Sequence, residues 1–317
     1  MKRSETSLDE HAPGRVTRDG IRIHDPVDFE GMHRAGRLAA EILDAVIPLV
    51  VPGTTTGALD AAITRMIAEA GATSATVGYR GYRHASCISV NHVVCHGIPG
   101  SPIPKWRGET NALNREKFRS DDRLAEGDIL NIDVTVILDG WYGDSSRMYV
   151  AGQPRSYAER LIQVTHDALM TGIRAVRPGN TFGDIGAAIQ RHVEAQGMSV
   201  VRDFCGHGLG RVFHAPPNVL HYGRPGSGPV LEEGMFFTIE PMVNLGRPET
   251  RVLEDDWTAV TRDKSLSAQF EHSVGVTATG CEIFTLSPAG RFHPTWGMAD
   301  AVAGAPGRPG GDAAARR

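Results

Sequence analysis

Residues 128–147, Asp-Ile-Leu-Asn-Ile-Asp-Val-Thr-Val-Ile-Leu-Asp-Gly-Trp-Tyr-Gly-Asp-Ser-Ser-Arg, carry acidic side chains inside runs of β-branched and aromatic residues. The runs flank Asp139-Gly140, a dipeptide suited to φ > 0 at both centres of a type I′ turn, so the stretch reads as a β-hairpin. With a two-residue loop, Leu138 faces Trp141 and Asp133 faces Ser146, leaving Asp144 diagonal to Asp133 on one face. Carboxylates at that spacing, roughly 7–8 Å between Cβ atoms, can close on cations between them. On the hairpin alone, a pair of solvated strand aspartates is the alternative reading.

Two further acids repeat the anomaly. Glu240 follows Phe236-Phe-Thr-Ile, Glu271 follows Gln269-Phe, and His207 lies in the glycine-rich run Phe204-Cys-Gly-His-Gly-Leu-Gly. An acid among apolar neighbours is costly unless something positive meets it. Four carboxylates and one imidazole carry too much negative charge for one small ion and suit two divalent ions sharing carboxylates. Oxygen-rich ligation with one nitrogen favours Mn, Fe, Co or Zn over thiolate-bound copper, without ranking those four.

The elements that must position these groups show helical and strand periodicity. Met32, Ala35, Leu38, Ala39, Ile42, Leu43 and Val46 predict a helix from about Asp28 that stops by Pro52-Gly53. Thr56 is placed to cap a second helix with Leu59, Ala62, Ile63, Met66 and Ile67 on its apolar face, ending at Gly71. Sliding the chain on itself by 126 positions superposes Leu43, Ile47, Val50, Pro52-Gly53, Thr55, Gly57, Ala61-Ala62-Ile63, Arg65 and Gly71 on identical residues from Leu169 to Gly197. The chain therefore reads as two copies of one helix-helix-strand unit, packed about a pseudo-twofold axis with a site where the halves meet. The second helix pair is expected at about 155–176 and 182–196.

Composition bounds the function. At 317 residues, 41% hydrophobic and with a net charge of −4, the chain is that of a globular protein with no global attraction for polyanions. No run approaches the roughly 20 apolar residues of a membrane span and the first residues lack a signal peptide's apolar stretch, so a cytoplasmic protein is expected. Cys87, Cys95, Cys205 and Cys281 form neither a Cys-x-x-Cys pair nor a disulfide framework. Cys95-His96 is not read as a thiol nucleophile with its base, because strand neighbours point to opposite faces. Residues 1–20 read as a mobile arm, 21–286 as the catalytic unit and 287–317 as a flexible tail.

Asn131-Ile-Asp-Val-Thr-Val with Gly143-Asp-Ser-Ser, Gly206-His-Gly-Leu-Gly, Thr238-Ile-Glu-Pro-Met and Gln269-Phe-Glu-His together resemble the type I methionine aminopeptidases, over about residues 21–286. The resemblance implies an α+β pita-bread fold, two pseudo-twofold-related halves whose antiparallel sheet encloses a dinuclear metal site. It implies Asp133, Asp144, His207, Glu240 and Glu271 as ligands of two divalent ions, with Asp144 and Glu271 shared and Glu240 also shuttling protons. It places His96 and His214 beside the scissile amide, and Tyr79, Tyr82, Cys87, Phe213 and Trp257 around the methionine side chain, where aromatics and a thiol suit a flexible thioether. The nucleophile would be a water acidified between the ions. The substrate would be the N-terminus of a peptide or nascent chain with a small second residue, cleaved by a monomeric enzyme.

Three departures stand out: Arg83 in place of a usual proline, Asp256 in place of a usual glycine before Trp257, and an insertion at about 101–120. In that insertion Lys105, Arg107, Arg115, Lys117 and Arg119 outnumber Glu109 and Glu116, and Trp106 and Phe118 are expected to be exposed. The loop is read either as a solvated flap or as a salt-sensitive contact with the ribosome. His84, His92, His192, His221 and His272 are read as ordinary structural histidines. Within the fold, aminopeptidase P and prolidase would carry a large preceding domain, and a type II methionine aminopeptidase a helical insert between Glu240 and Glu271. A non-catalytic pita-bread binding module would lose metal ligands, whereas all five are present.

Overall fold

The computed structural model describes residues 14–110 and 116–291. Helices α1 (Pro26–Ala45) and α2 (Thr56–Glu69) lead into short strands β1 (Thr73–Ser74), β2 (Cys87–Val90) and β3 (Val93–Cys95) and then the long hairpin β4 (Asp128–Leu138) and β5 (Trp141–Ala151). The second half repeats the opening with α3 (Ser156–Arg174), α4 (Phe182–Ala195) and β6 (Ser199–Val200). It continues through β7 (Gly206–Gly208), β8 (Ala215–Val219), β9 (Phe236–Ile239) and β10 (Met242–Asn244), then β11 (Thr250–Val252) and β12 (Ala259–Thr261). It closes with β13 (Ser267–Gln269), β14 (His272–Val276) and β15 (Cys281–Ile283).

The repeat is exact in its punctuation. Thr55 and Thr181 cap α2 and α4, accepting from Ala58 N and Asp184 N. Gly53 and Gly179 take φ of 91° and 90°, and Gly71 and Gly197 take 69° and 72°, a left-handed backbone that favours glycine at each break. The cap of α2 is thus Thr55 and not the expected Thr56, whose hydroxyl donates to Asp122 at 3.2 Å. The first helix also ends at Ala45, short of Pro52, because Ile47–Leu49 tighten into a 3₁₀ turn.

Each helix pair covers its own core. In the first half Ile42, Leu43, Leu59 and Ile63 pack on Leu130, Ile132, Val134 and Val136 of β4; in the second, Leu161, Leu169, Ile185 and Ile189 pack with Val243, Ala268 and Val274. α1 lies so close to β5 that a Cβ on Gly143 would come within 2.2 Å of the Ala35 carbonyl oxygen, so glycine is required just before Asp144.

The halves are sewn together at the hairpin. Ser145 Oγ donates to Glu271 O at 2.8 Å, Ser273 Oγ to Asp144 O at 2.7 Å and Glu271 N to Ser146 O at 3.0 Å. Asn131 Nδ2 adds a bond to Gln269 O at 2.8 Å. This seam holds Asp144 and Glu271, on different halves, side by side.

Both proposed boundary segments contain ordered structure. Residues 14–20 turn back on the body, with a bridge between Val16 and Arg22 and an ion pair between Arg15 and Glu232. At the other end Ser287 is buried and its hydroxyl donates to Asp44 at 2.7 Å. The rest of the arm and tail, 1–13 and 292–317, lie outside the described residues.

Candidate metal centre and substrate cleft

The hairpin register is the one its sequence demands. Asp139 and Gly140 take φ of 52° and 78°, Leu138 pairs with Trp141, Asp133 with Ser146 and Thr135 with Asp144. Asp133 also pairs across β2 with Cys87, which sets the thiol beside that carboxylate. Thr135 Oγ1 donates to Asp144 Oδ1 at 2.7 Å and fixes its rotamer.

His207 occupies β7 between two glycines that cannot be replaced without moving backbone. A Cβ would stand 2.4 Å from Thr238 O at Gly206 and 2.1 Å from Pro216 O at Gly208. The close approach brings His207 Nε2 within 3.4 Å of Asp144 Oδ2 and 3.9 Å of Glu240 Oε1. Glu240 sits just past the end of β9, held by Thr238 Oγ1 at 2.8 Å and Gln269 Nε2 at 3.2 Å.

Electrostatically the cluster is short of positive charge. Burial, then Asp144 and Glu240, push the Asp133 carboxyl well above its ordinary range; burial and the three other acids do the same to Glu271. Glu240 is pushed up to about 7, chiefly by burial, against the opposing pull of His207. Burial alone would lower His207, yet Asp144 and Glu240 outweigh it and raise the imidazole. Ligand atoms of Asp144, His207 and Glu271 all lie within 4.8 Å of one another. A compact set of oxygen donors with one nitrogen, charged against its own burial, fits hard to borderline divalent cations.

The centre forms the floor of a cavity of about 1030 Å³. Asp133, Asp144, His207, Glu240, Glu271, His96, His214, Tyr79, Tyr82, Cys87, Phe213 and Trp257 all line it. Two aromatic groups shape the walls. His207, His214, Phe213 and Tyr79 follow one another in tilted and edge-on contacts with centroids 4.2, 4.0 and 5.0 Å apart, while Tyr82, Trp257 and His96 follow one another at 4.9 and 6.1 Å. Tyr82 spends its hydroxyl on Ser86 O at 2.9 Å, so the cavity meets its ring. Burial, with His207, Arg80 and His96 nearby, holds His214 down at about 3, and burial also lowers His96. At neutral pH both imidazoles are uncharged, each with one N–H to donate.

The metallopeptidase family M24 matches residues 30–278. The chain belongs to this family. It is 51% identical to a methionine aminopeptidase of Rickettsia prowazekii over 87% of this chain and 99% of that one. It is 50% identical to a methionine aminopeptidase of Escherichia coli strain K12 over 84% of this chain and 94% of that one. A crystal structure of methionine aminopeptidase from Rickettsia prowazekii superposes with a TM-score of 0.77 at 52% identity, covering 84% of this chain and all (100%) of that chain. The fold is the pita-bread fold of the family, and divalent metal use follows from membership in an M24 metallopeptidase family.

Three expectations need correction within this M24 chain. Cys95 and His96 both line the cavity, because His96 takes φ of 57° and leaves the strand, so alternation does not separate them. Cys95 remains a poor nucleophile for a different reason: burial, then Glu240, pushes its thiol well above the ordinary range. Trp106 is not an exposed contact but packs against the second-half core, with Arg155 over its ring. The basic excess of 101–120 is largely neutralised in place: Arg107 meets Asp263, and Arg119 meets Glu109 and Asp128. Arg115 lies outside the described residues.

Of the two point departures, Asp256 lines the cavity at φ of 63°, a conformation that suits glycine, while Arg83 is exposed away from it. His221, read as ordinary, has a positioning contact: its Nε2 accepts from Glu240 N at 3.0 Å in a fully buried setting. No spacing rule on the sequence marks that contact, which joins residues 19 apart across a turn.

Proposed function

We propose that the chain removes N-terminal methionine from peptides and nascent proteins with a small second residue, using two divalent ions held by Asp133, Asp144, His207, Glu240 and Glu271. The observation that carries the reading is the one cavity lined at once by those five side chains, by His96 and His214, and by Tyr79, Tyr82, Cys87, Phe213 and Trp257. Relatives at about half identity bear the name methionine aminopeptidase.

Asp144 and Glu271, adjacent across the seam, would be shared by the ions; Asp133 would serve one, and His207 with Glu240 the other. Bound there, Mn, Fe, Co or Zn would acidify water and polarise the scissile carbonyl. Glu240, fixed by Thr238 and Gln269, carries the proton from nucleophile to leaving amine. His214 donates its N–H to the carbonyl oxygen as negative charge develops there, and His96 orients the amide. The ring faces and the Cys87 thiol accept the methionine thioether by dispersion and sulfur–aromatic contact.

Contact with the ribosome through 101–120 has narrower support than the sequence suggests. Among the described residues of that loop, the cations outside ion pairs are Lys105 and Lys117. Metal-loaded protein incubated with Met-Ala-Ser and Met-Lys-Ser should release methionine from the first far faster. Equal cleavage of both, or of neither with any of the four metals, would refute the assignment.

A further inference from the structure

The sheet β11-β12-β3 is one wall of the cleft. At its cleft end Cys95 closes β3 and His96 follows it; Val252 closes β11, and Asp256 and Trp257 stand in the turn to β12. All five line the cavity. The remainder of the same sheet is gathered onto one carboxylate from the 101–120 loop, Glu116.

His92, immediately before β3, brings Nε2 within 3.3 Å of Glu116 Oε1. Lys264, just past β12, brings Nζ within 3.5 Å of the same oxygen, and Arg251 at the centre of β11 pairs with Oε2. One side chain thus touches residues attached to all three strands. Three of the four members are enclosed: His92 has no accessible surface, Lys264 has 1% and the Glu116 side chain 9%, while Arg251 is 40% exposed at the outer edge. Burial would raise the Glu116 carboxyl, but His92, Lys264 and Arg251 prevail and lower it. Around this point the loop is laced to the body. Arg107 N donates to Lys264 O at 3.0 Å, its guanidinium donates to Asp263 O at 2.7 Å, and Arg119 donates to Asp128 at 2.7 Å.

We propose that Glu116 is a positioning residue for substrate: by clasping His92, Arg251 and Lys264 it fixes the wall that presents His96 and Trp257 to the N-terminal methionine. The proposal rests on the aminopeptidase reading above. The described part of the loop is then a strap that sets the cleft, with Arg107, Glu116 and Arg119 paired to the body. A carboxylate that meets residues attached to three strands resists sliding of any one of them, and a wall left free to shift weakens its grip on the methionine side chain in ground and transition state alike, a loss that falls on KM.

The test uses the full-length, metal-loaded protein and two variants, Glu116→Gln and Arg251→Met. The second removes only the more exposed partner and guards against misfolding of the first. At a temperature well below unfolding, both should lower kcat/KM for Met-Ala-Ser by about tenfold, mostly through KM, with metal content unchanged. Amide hydrogen exchange should quicken at the cleft end of the sheet, residues 94–97 and 252–258, and not in β4 or β5. Lower melting temperatures with KM and cleft-end exchange both unchanged would overturn the proposal and leave Glu116 a purely structural residue. Were the unaltered protein inactive on methionyl peptides, the aminopeptidase reading would fall while hydrogen exchange still decided whether Glu116 holds the wall.

Discussion

Two buried charged clusters lie on either side of the cleft wall, and their compositions are opposite. The floor gathers Asp133, Asp144, Glu240 and Glu271 around the single imidazole of His207, whereas the clasp gathers His92, Arg251 and Lys264 around the single carboxylate of Glu116. The carboxyls respond in opposite directions: upward at Asp133, Glu240 and Glu271, downward at Glu116. A buried carboxylate that the protein meets with its own cations is held in place without help; a cluster in excess of acid needs cations from outside. The difference separates the part of the molecule that binds from the part that holds.

The largest expected effect is at the floor. Asp144→Asn removes a carboxylate proposed to serve both ions, so metal content and methionine release should fall together, beyond the roughly 10–100-fold that follows loss of an outer-shell partner of a metal. Metal analysis beside a peptide assay checks this; retained metal with lost activity would blur the contrast. His96→Ala comes next, at the edge of the floor. It should keep the metal and slow turnover by about 10²–10⁴-fold, the scale of a positioned acid-base or polar group.

At the clasp a loss of stability accompanies the expected rise in KM. Glu116→Gln should cost roughly 2–3 kcal/mol, less than for a fully buried pair because Arg251 is 40% exposed. Because the folded-state pKa of Glu116 is lowered from 4.5, its contribution is fully present above that value and is lost as pH falls through the folded value. Denaturant titrations of both proteins should therefore differ by a constant amount at neutral pH and converge in acid below about pH 4.5. A gap that widened in acid would contradict the lowering of the Glu116 carboxyl by its cationic partners. The smallest effect belongs to Lys105→Gln with Lys117→Gln, charges outside either cluster, which should change stability by less than about 0.5 kcal/mol and leave peptide hydrolysis alone.

Much of this layout was legible in the amino-acid order because local rules govern it. The Asp139-Gly140 turn dictates the hairpin register, and the 126-residue repeat foretells paired helices, although α2 is capped by Thr55, one residue before the Thr56 expected. What escaped depends on contacts between distant segments. His221 meets the backbone of Glu240 only after the β8 to β9 connection folds back, and His92 finds Glu116 only because the chain returns to it 24 residues on. Counting charges along 101–120 suggested a basic arm, but charge on the sequence does not reveal which partners the fold supplies. Likewise, strand alternation failed at Cys95-His96 because one left-handed residue breaks the two-residue period.

The central claim is that the acid-rich floor is a catalytic metal centre acting on methionine. The most direct measurement strips the protein of metal with chelator and follows methionine release from Met-Ala-Ser as Mn, Co, Fe or Zn is added back. Release that is absent without metal and climbs to a plateau with at least one of these ions is the predicted result. Full release from the stripped protein, or none with any of the four, would contradict it.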